Sequence, residues 1–291
     1  MTSGNSFTRR ELFTYLGKAL SDADIETPQL EAGFIIEHVT GMELPRFLMD
    51  GGTAAETETV SECLRILERR RTGEPLQYIF GQWDFFGMTF KVGSGVLIPR
   101  ADTETIAEAA IKLRENANVT RFADLCSGSG CIAAAVSRYV ESPEGYAVEY
   151  SVDAFPYLEE NLRNNAVNTT AVFADVLKTE TAGKFTDLDL ITANPPYLTK
   201  RDMGELQREV TYEPEMALFG GDDGLYFYRE LARVWKSSLK CGGWLLFEMG
   251  LGQYRDVMDI LEENGYEDVS FSCDLAGIER VVMGRKPLGG A

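Results

Sequence analysis

Asn194-Pro195-Pro196-Tyr197 follow "LDLITA", a run that reads as a buried strand. Proline has no backbone donor and cannot extend a sheet ladder, so the strand stops at Ala193 and the four residues form a stiff loop. The loop lies at the carboxyl end of the strand, where open α/β sheets bind ligands. An amide, two rigid carbonyls and a ring suit the handling of a planar nitrogen, a poor nucleophile because its lone pair is delocalised. The Asn194 side-chain oxygen can accept a hydrogen bond from one N–H and the Pro195 carbonyl a second. Two fixed acceptors push electron density toward the nitrogen and aim its lone pair. Pro196 stiffens the turn, and Tyr197 can stack on the planar group and keep water out. Positioning would then supply most of the acceleration, with neither a metal nor a covalent enzyme intermediate. The plain alternative is a Pro-Pro turn that merely ends a strand.

A second stretch, "DLCSGSGCIAAAV" from Asp124, has the order strand, glycine turn, helix. Gly128 and Gly130 allow a tight turn and a close ligand. By spacing, Gly128-x-Gly130-x-x-Ala133 also fits the dinucleotide fingerprint, and a plain βα turn fits too. A carboxylate at Asp124 would repel a pyrophosphate but favour an ammonium or sulfonium. S-adenosylmethionine carries both and has no phosphate. Asp153 follows Gly130 by 23 residues, at the end of "YSV", and is expected to accept from both ribose hydroxyls. Either nucleotide cofactor would use it. Asp175, ending "FAD", is expected to reach the adenine amino group or simply to cap the next turn. The acceptor loop beside such a site points to methyl transfer, with Asn194 touching both donor and acceptor.

The chain has 291 residues, 44% hydrophobic and 25% charged, as in a globular protein of one large or two ordinary domains. The formal net charge is −18, and the longest basic cluster is "ERRRTG", Glu68 to Gly73. Tight binding of a phosphate backbone needs a concentrated basic surface, so no stable nucleic acid complex is expected. A cationic cofactor or a basic protein partner suits an acidic enzyme better. The five cysteines are odd in number and lack C-x-x-C spacing, which reads as reduced thiols. A single histidine, His38, speaks against a His-based zinc site or a Ser-His-Asp triad. There is no apolar run of about 18 residues and no apolar signal core, so a cytosolic protein, expected to be a monomer, is the reading.

These residues need elements to place them. Residues 1–76 read as a helical domain. Thr8 and Glu11 have capping-box spacing, Thr27 precedes Pro28 as an N-cap, and "QLEAGFIIEHVTG" ends on Gly41. "TETVSECLRILERRR" is a further amphipathic helix. Residues 77–98, with "QYIFGQWDFFGMTFKV", read as a β-hairpin linker turning near Gly87. "GVLIPRADTETIAEAAIKL" predicts a short strand, a stop at Pro99 and a helix from about Asp102. Across residues 99–291 strands then alternate with helices, which implies a parallel sheet covered on both faces.

The sequence resembles the protein-(glutamine-N5) methyltransferases that modify peptide chain release factors, over nearly its whole length. "GEPLQYIFG", "VLIPRADTE", "DLCSGSG", "NPPY", "EVTYEPEMALFGGDDGL" and "GIER" carry the resemblance. The Asn-Pro-Pro-Tyr loop alone would equally suit adenine-N6 methyltransferases of DNA or RNA, and a non-catalytic cofactor-binding module is a third alternative. The resemblance implies a five-helix-like N-terminal domain that helps grip the release factor, and a Rossmann-like class I methyltransferase domain with a seven-stranded, mostly parallel sheet. It implies S-adenosylmethionine as cofactor and the glutamine of the Gly-Gly-Gln loop as acceptor. Cys126, Ser127, Gly128, Ser129 and Gly130 would form the cofactor loop, with Val176 beside the adenine. Cys126 stands where the family usually has Gly, Ser127 and Ser129 replace Thr, Ala101 and Asp102 replace Pro and Glu, and Val176 replaces a frequent aromatic. Arg100 and Glu104 are expected at the domain junction or as a structural ion pair.

Overall fold

The computed structural model describes residues 7–113, 119–140 and 144–289. They divide into two compact units, one running up to Gly81 and including 208–212, the other comprising 82–207 and 213 onward.

In the first unit five helices form where apolar residues recur at helical spacing: α1 (Arg9–Ser21), α2 (Pro28–Thr40), α3 (Leu44–Met49), α4 (Thr57–Arg71) and α5 (Leu76–Phe80). Leu12, Leu16 and Leu20 make one buried stripe of α1, in the same core as Ile35, Ile36, Ile66 and Leu67. The Thr8 hydroxyl accepts from Glu11 N at 3.2 Å, and the Glu11 carboxylate accepts from Thr8 N at 2.8 Å, completing the expected capping box. Thr27 makes no side-chain cap; Pro28 starts α2 with its φ already helical. α2 ends at Gly41, whose φ of 66° closes the helix. Arg70 is buried because its guanidinium meets Glu31 at 2.7 and 2.9 Å and also pairs with Glu209. The start of the expected hairpin is instead α5: Leu76 and Ile79 bury one side of a short helix that Gly81 terminates.

The second unit opens with the hairpin β1 (Gln82–Phe85) and β2 (Met88–Lys91), antiparallel, with Phe86 and Gly87 both at positive φ. The expected strand around "GVLIP" is absent. That segment runs irregularly to a 3-10 turn at Ala101–Thr103, and its Ile98 N–H is satisfied by the buried Glu213 carboxylate at 3.0 Å rather than by a ladder. There follow α6 (Glu104–Leu113), β3 (Arg121–Leu125), α7 (Cys131–Tyr139), β4 (Glu144–Glu149), α8 (Phe155–Asn164), β5 (Thr169–Phe173), α9 (Thr179–Ala182), β6 (Leu188–Ala193), α10 (Lys200–Gly204), α11 (Tyr226–Val234), β7 (Leu239–Glu248), α12 (Tyr254–Glu263), β8 (Glu267–Cys273) and β9 (Glu279–Arg285).

These strands form one seven-stranded sheet in the order β5-β4-β3-β6-β7-β9-β8, parallel from β5 to β7, with β9 antiparallel between β7 and β8. β6 is buried at every position, as a central parallel strand must be. α6, α7 and α8 cover one core, and α9, α11 and α12 the other. The chain runs outward from β3 to β4 and β5, then returns to add β6 on the other side of β3. The strand order therefore reverses between β3 and β6, and a crevice forms beyond their carboxyl ends. No helix among the described residues is long and apolar enough to cross a membrane.

Candidate active site

A cavity of about 710 Å³ occupies that crevice, walled by the turn after β3, the end of β4, the turn after β5, the loop after β6 and the segments 95–103 and 214–227. Its floor is the turn Cys126–Ser129. The two expected glycines have different jobs. A Cβ on Gly128 would meet nothing within 4 Å, so the bare backbone there faces open space for a ligand. A Cβ on Gly130 would lie 2.6 Å from Leu158 Cδ1, so that glycine lets α7 pack against α8. Cys126 holds φ of 55°, a left-handed conformation that costs an L-residue about 1–2 kcal/mol and explains why glycine is the easier residue there. Burial and the charge of Glu149 push its thiol well above the ordinary range, so it is an inert wall group.

Two of the expected carboxylates are not where the sequence suggested. β4 ends at Glu149, not within "YSV", and the chain turns at once. Asp153 is exposed, absent from the cavity wall, and packs its Cβ against Gly95. Glu149 occupies the strand end and the wall in its place. It is held there by Gly128 N on Oε2 at 2.8 Å, and by Tyr150 N and Ser151 N on Oε1 at 2.8 and 2.7 Å. One lone-pair site on Oε2 remains for a ligand hydroxyl.

Asp124 lies beneath the floor, fully buried, and does not line the cavity. Its Oδ2 accepts from Ser127 Oγ at 2.8 Å and its Oδ1 from Thr192 Oγ1 at 2.7 Å. It braces the turn rather than meeting a ligand ammonium. Burial, reinforced by the Glu149 charge, pushes its carboxyl up to about 7 from 3.8. Between those values the unfolded chain has released a proton that the folded chain keeps, so stability falls as pH rises through that window and the penalty is complete above about 7. Asp124→Asn is expected to reduce the loss of unfolding free energy between pH 5 and pH 8 by on the order of 2 kcal/mol, read by urea unfolding. An unchanged slope would show that the acid ionises normally.

Asp175 and Val176 both line the cavity. Asp175 Oδ1 caps its own turn by accepting from Leu177 N at 2.9 Å, and the buried Val176 is fixed by Trp235 Nε1 donating to its carbonyl at 2.8 Å.

Asn194 stands on the same wall system as Gly128. Its Nδ2 donates to Thr103 Oγ1 at 3.4 Å, and Thr103 in turn donates to Glu248 Oε1 at 3.1 Å. That leaves Asn194 Oδ1 for a donor from the cavity. Pro196 lines the cavity; Pro195 and Tyr197 do not. The Tyr197 ring, expected to stack on an acceptor, packs against the core beside Gly250, and its carbonyl accepts from Gln253 Nε2 at 3.1 Å. Burial pushes its phenol up to about 12, so it stays neutral. The aromatic surface of the cavity comes from Tyr150, Phe219, Tyr226 and Phe227 instead.

The segment after the loop is its buttress. Glu213, 6% exposed, pairs with Arg100 and takes the Ile98 N–H, tying "VLIPR" to "YEP". Arg100 is thus in a structural ion pair, while Glu104 Oε1 accepts from Phe86 N at 2.8 Å. Leu198 N donates to Leu218 O at 2.9 Å and Gly220 N to Leu198 O at 2.8 Å. Sequence reasoning missed Glu149, Thr103, Glu213 and Glu248. For Glu149 the signal was present, since it directly ends the apolar run "YAV" that is the strand core. The other three act across 90 or more residues and leave no local trace.

A sheet of this order, with a glycine turn after its first strand and an Asn-Pro-Pro-Tyr loop after its fourth, is that of a class I methyltransferase. The catalytic domain of hMettl16, solved with a MAT2A 3′UTR hairpin, has the same fold, with a TM-score of 0.55 at 14% identity over 80% of this chain and 82% of that one. Residues 11–81 match the PrmC N-terminal domain family and residues 103–216 the methyltransferase small domain family. Release factor glutamine methyltransferase from Geobacter sulfurreducens is 34% identical, covering 96% of this chain and 97% of that protein. The enzyme of that name from Thermodesulfovibrio yellowstonii is 35% identical over 88% and 92%. The chain belongs to the release factor glutamine methyltransferase family.

Proposed function

We propose that this enzyme transfers a methyl group from S-adenosylmethionine to the side-chain amide nitrogen of the glutamine in the Gly-Gly-Gln loop of peptide chain release factors. The observation that carries the reading is Asn194. It sits on the wall of the cavity that holds the open Gly128 turn, with its Nδ2 engaged by Thr103 and its Oδ1 left for a donor. The cavity suits the cofactor: a bare backbone turn, an acidic strand end at Glu149 and a mostly apolar wall with Val176 and Leu177 for a flat base. S-adenosylmethionine, when bound, supplies an electrophilic methyl carbon on a sulfonium.

The protein's own part is to make an amide nitrogen nucleophilic. Asn194 Oδ1 accepts one N–H of the acceptor amide, and the Pro195 carbonyl is the candidate for the other. Pro195 is buried and off the cavity wall, so its carbonyl can take part only where the acceptor reaches down to the loop backbone. The nitrogen would gain the methyl carbon as the methyl C–S bond breaks and its electron pair stays on sulfur, and would give up one proton to water, leaving a neutral secondary amide and a neutral thioether. The acidic cavity rim favours a sulfonium over a phosphate-bearing nucleotide. The basic partner surface that a net charge of −18 suits is expected on the release factor.

Mass spectrometry of release factor incubated with enzyme and S-adenosylmethionine is expected to show one added methyl on the Gly-Gly-Gln peptide. An unshifted peptide, with cofactor binding demonstrated by calorimetry, overturns the reading. Glu149→Gln is expected to weaken cofactor binding about 10- to 100-fold, because an amide N–H would oppose the N–H groups of Gly128 or of Tyr150 and Ser151. Asp153→Asn is expected to leave the dissociation constant within about twofold. Titration calorimetry on the two variants separates the assignments.

A further inference from the structure

Behind the acceptor loop, at the carboxyl end of β7, lies a carboxylate with no role yet. Glu248 is 4% exposed and does not line the cavity. Its Oε1 accepts from Thr103 Oγ1 at 3.1 Å, while its Oε2 is buried with no hydrogen-bond partner among the described residues. A buried orphan acceptor is costly, because the water it gave up is not replaced. The four β7 positions before it, Trp244 to Phe247, are all apolar.

The chain of contacts has a direction. A carboxylate only accepts, so Thr103 must donate its one hydroxyl proton to Glu248. The Thr103 oxygen can then only accept from Asn194, which must turn its Nδ2 inward and its Oδ1 to the cavity. If Glu248 is protonated it can donate to Thr103, the Thr103 proton is free to point at Asn194, and the flipped carboxamide becomes the stable one. That flip would place Nδ2 against the N–H of an acceptor amide, donor against donor.

We propose that Glu248 is a positioning residue that, as a carboxylate, sets the direction of the Asn194–Thr103–Glu248 hydrogen bonds and so makes Asn194 present Oδ1 to the acceptor amide. This rests on the methyl-transfer reading above. Burial pushes the Glu248 carboxyl up to about 7, opposed by Thr103, by Arg280 on β9 and by the Asn194 amide, and helped by Asp102. Tyr197, Tyr228 on α11 and Cys131 on α7 also face it, all neutral, since burial raises each. Arg280 is itself paired with Asp102 at 2.6 Å and Asp274 at 3.0 Å, so its charge is shared. Asn194 orientation, and with it turnover, therefore depends on pH near neutrality.

The test is the pH profile of kcat on release factor at saturating S-adenosylmethionine, from about pH 6 to 8.5. In the parent enzyme kcat is expected to fall about tenfold per pH unit below about 7. Glu248→Gln, which keeps the shape but can donate or accept, is expected to lower kcat about tenfold at pH 8 and to flatten the acid limb, with cofactor affinity unchanged. Asp124 titrates in the same range but is intact in that variant, so a flattened limb assigns the pH dependence to Glu248. Thr103→Val is expected to behave the same way, and Thr103→Ser to restore both rate and acid limb. These two leave Glu248 in place and decide the matter if Glu248→Gln does not fold. Parental kcat at pH 8, or a surviving acid limb, in Glu248→Gln or Thr103→Val overturns the proposal. A parent enzyme that binds cofactor but leaves the glutamine unmodified overturns the methyl-transfer reading instead.

Discussion

Asn194→Ala is expected to lower kcat on release factor by about 10³-fold while the dissociation constant for S-adenosylmethionine changes by no more than about threefold. An amide nitrogen is inert because its lone pair is shared with the carbonyl. An acceptor that pulls on its N–H in the transition state has little to offer the ground state, so its loss appears in kcat rather than in binding. Removing one preorganised donor or acceptor aimed at developing charge typically costs about 2.7–4 kcal/mol. Asn194 makes one long hydrogen bond, 3.4 Å to Thr103, and is half-buried, so the fold should survive its truncation. Single-turnover assays and thermal melts on the same preparation check both halves. Retention of a tenth or more of the parental rate would sink the idea that this carboxamide polarises the acceptor.

Gly220→Ala is expected to cost about 10²-fold in kcat although the residue touches no ligand. A Cβ there would stand 2.5 Å from Pro196 O, 2.6 Å from Tyr197 Cα and 2.9 Å from Tyr197 C. All three are backbone atoms, which cannot swing aside as a side-chain tip does. Gly220 is also tied down, its N–H donating to Leu198 O. The acceptor loop must therefore shift by about an ångström, and a misplacement of that size is worth about 10² in rate. A melting temperature lower by about 4–8 °C should accompany it. Gly204 is the control: a Cβ there meets nothing within 4 Å, so Gly204→Ala should leave rate and melting point alone. If Gly220→Ala turns over normally, the loop is not braced by the 213–226 segment as described.

The two variants probe one arrangement from opposite sides, chemistry at the tip and packing behind it. They also separate what can be read locally from what cannot. Asn194-Pro195-Pro196-Tyr197 and the Gly128 turn were legible because each is a contiguous run whose backbone limits its own shape: proline forbids a ladder bond, and glycine permits a left-handed turn. The alternation of strands and helices was legible for the same reason, since side-chain period follows from backbone geometry. Val176 was placed beside the site by the family resemblance alone, not by its own type or spacing.

Where a side chain points and what stands behind it was not legible. Asp153 looked right by count, but a strand ends where its neighbours stop pairing with it, and β3 last pairs at Val148 and β5 at Glu149. Tyr197 looked like a stacking ring, but Gly250 and Gln253, some 53 to 56 residues on, draw it into the core. Asp124 looked like a ligand for a cation, but Thr192 on the adjacent strand claims it from beneath. The chain order of residues carries the reaction class and the layered sheet, because both depend on bonds between near neighbours. Which carboxylate meets the cavity, which braces it, and which sets the direction of a hydrogen bond depend on the lateral pairing of strands, and that pairing exists only once distant segments have packed.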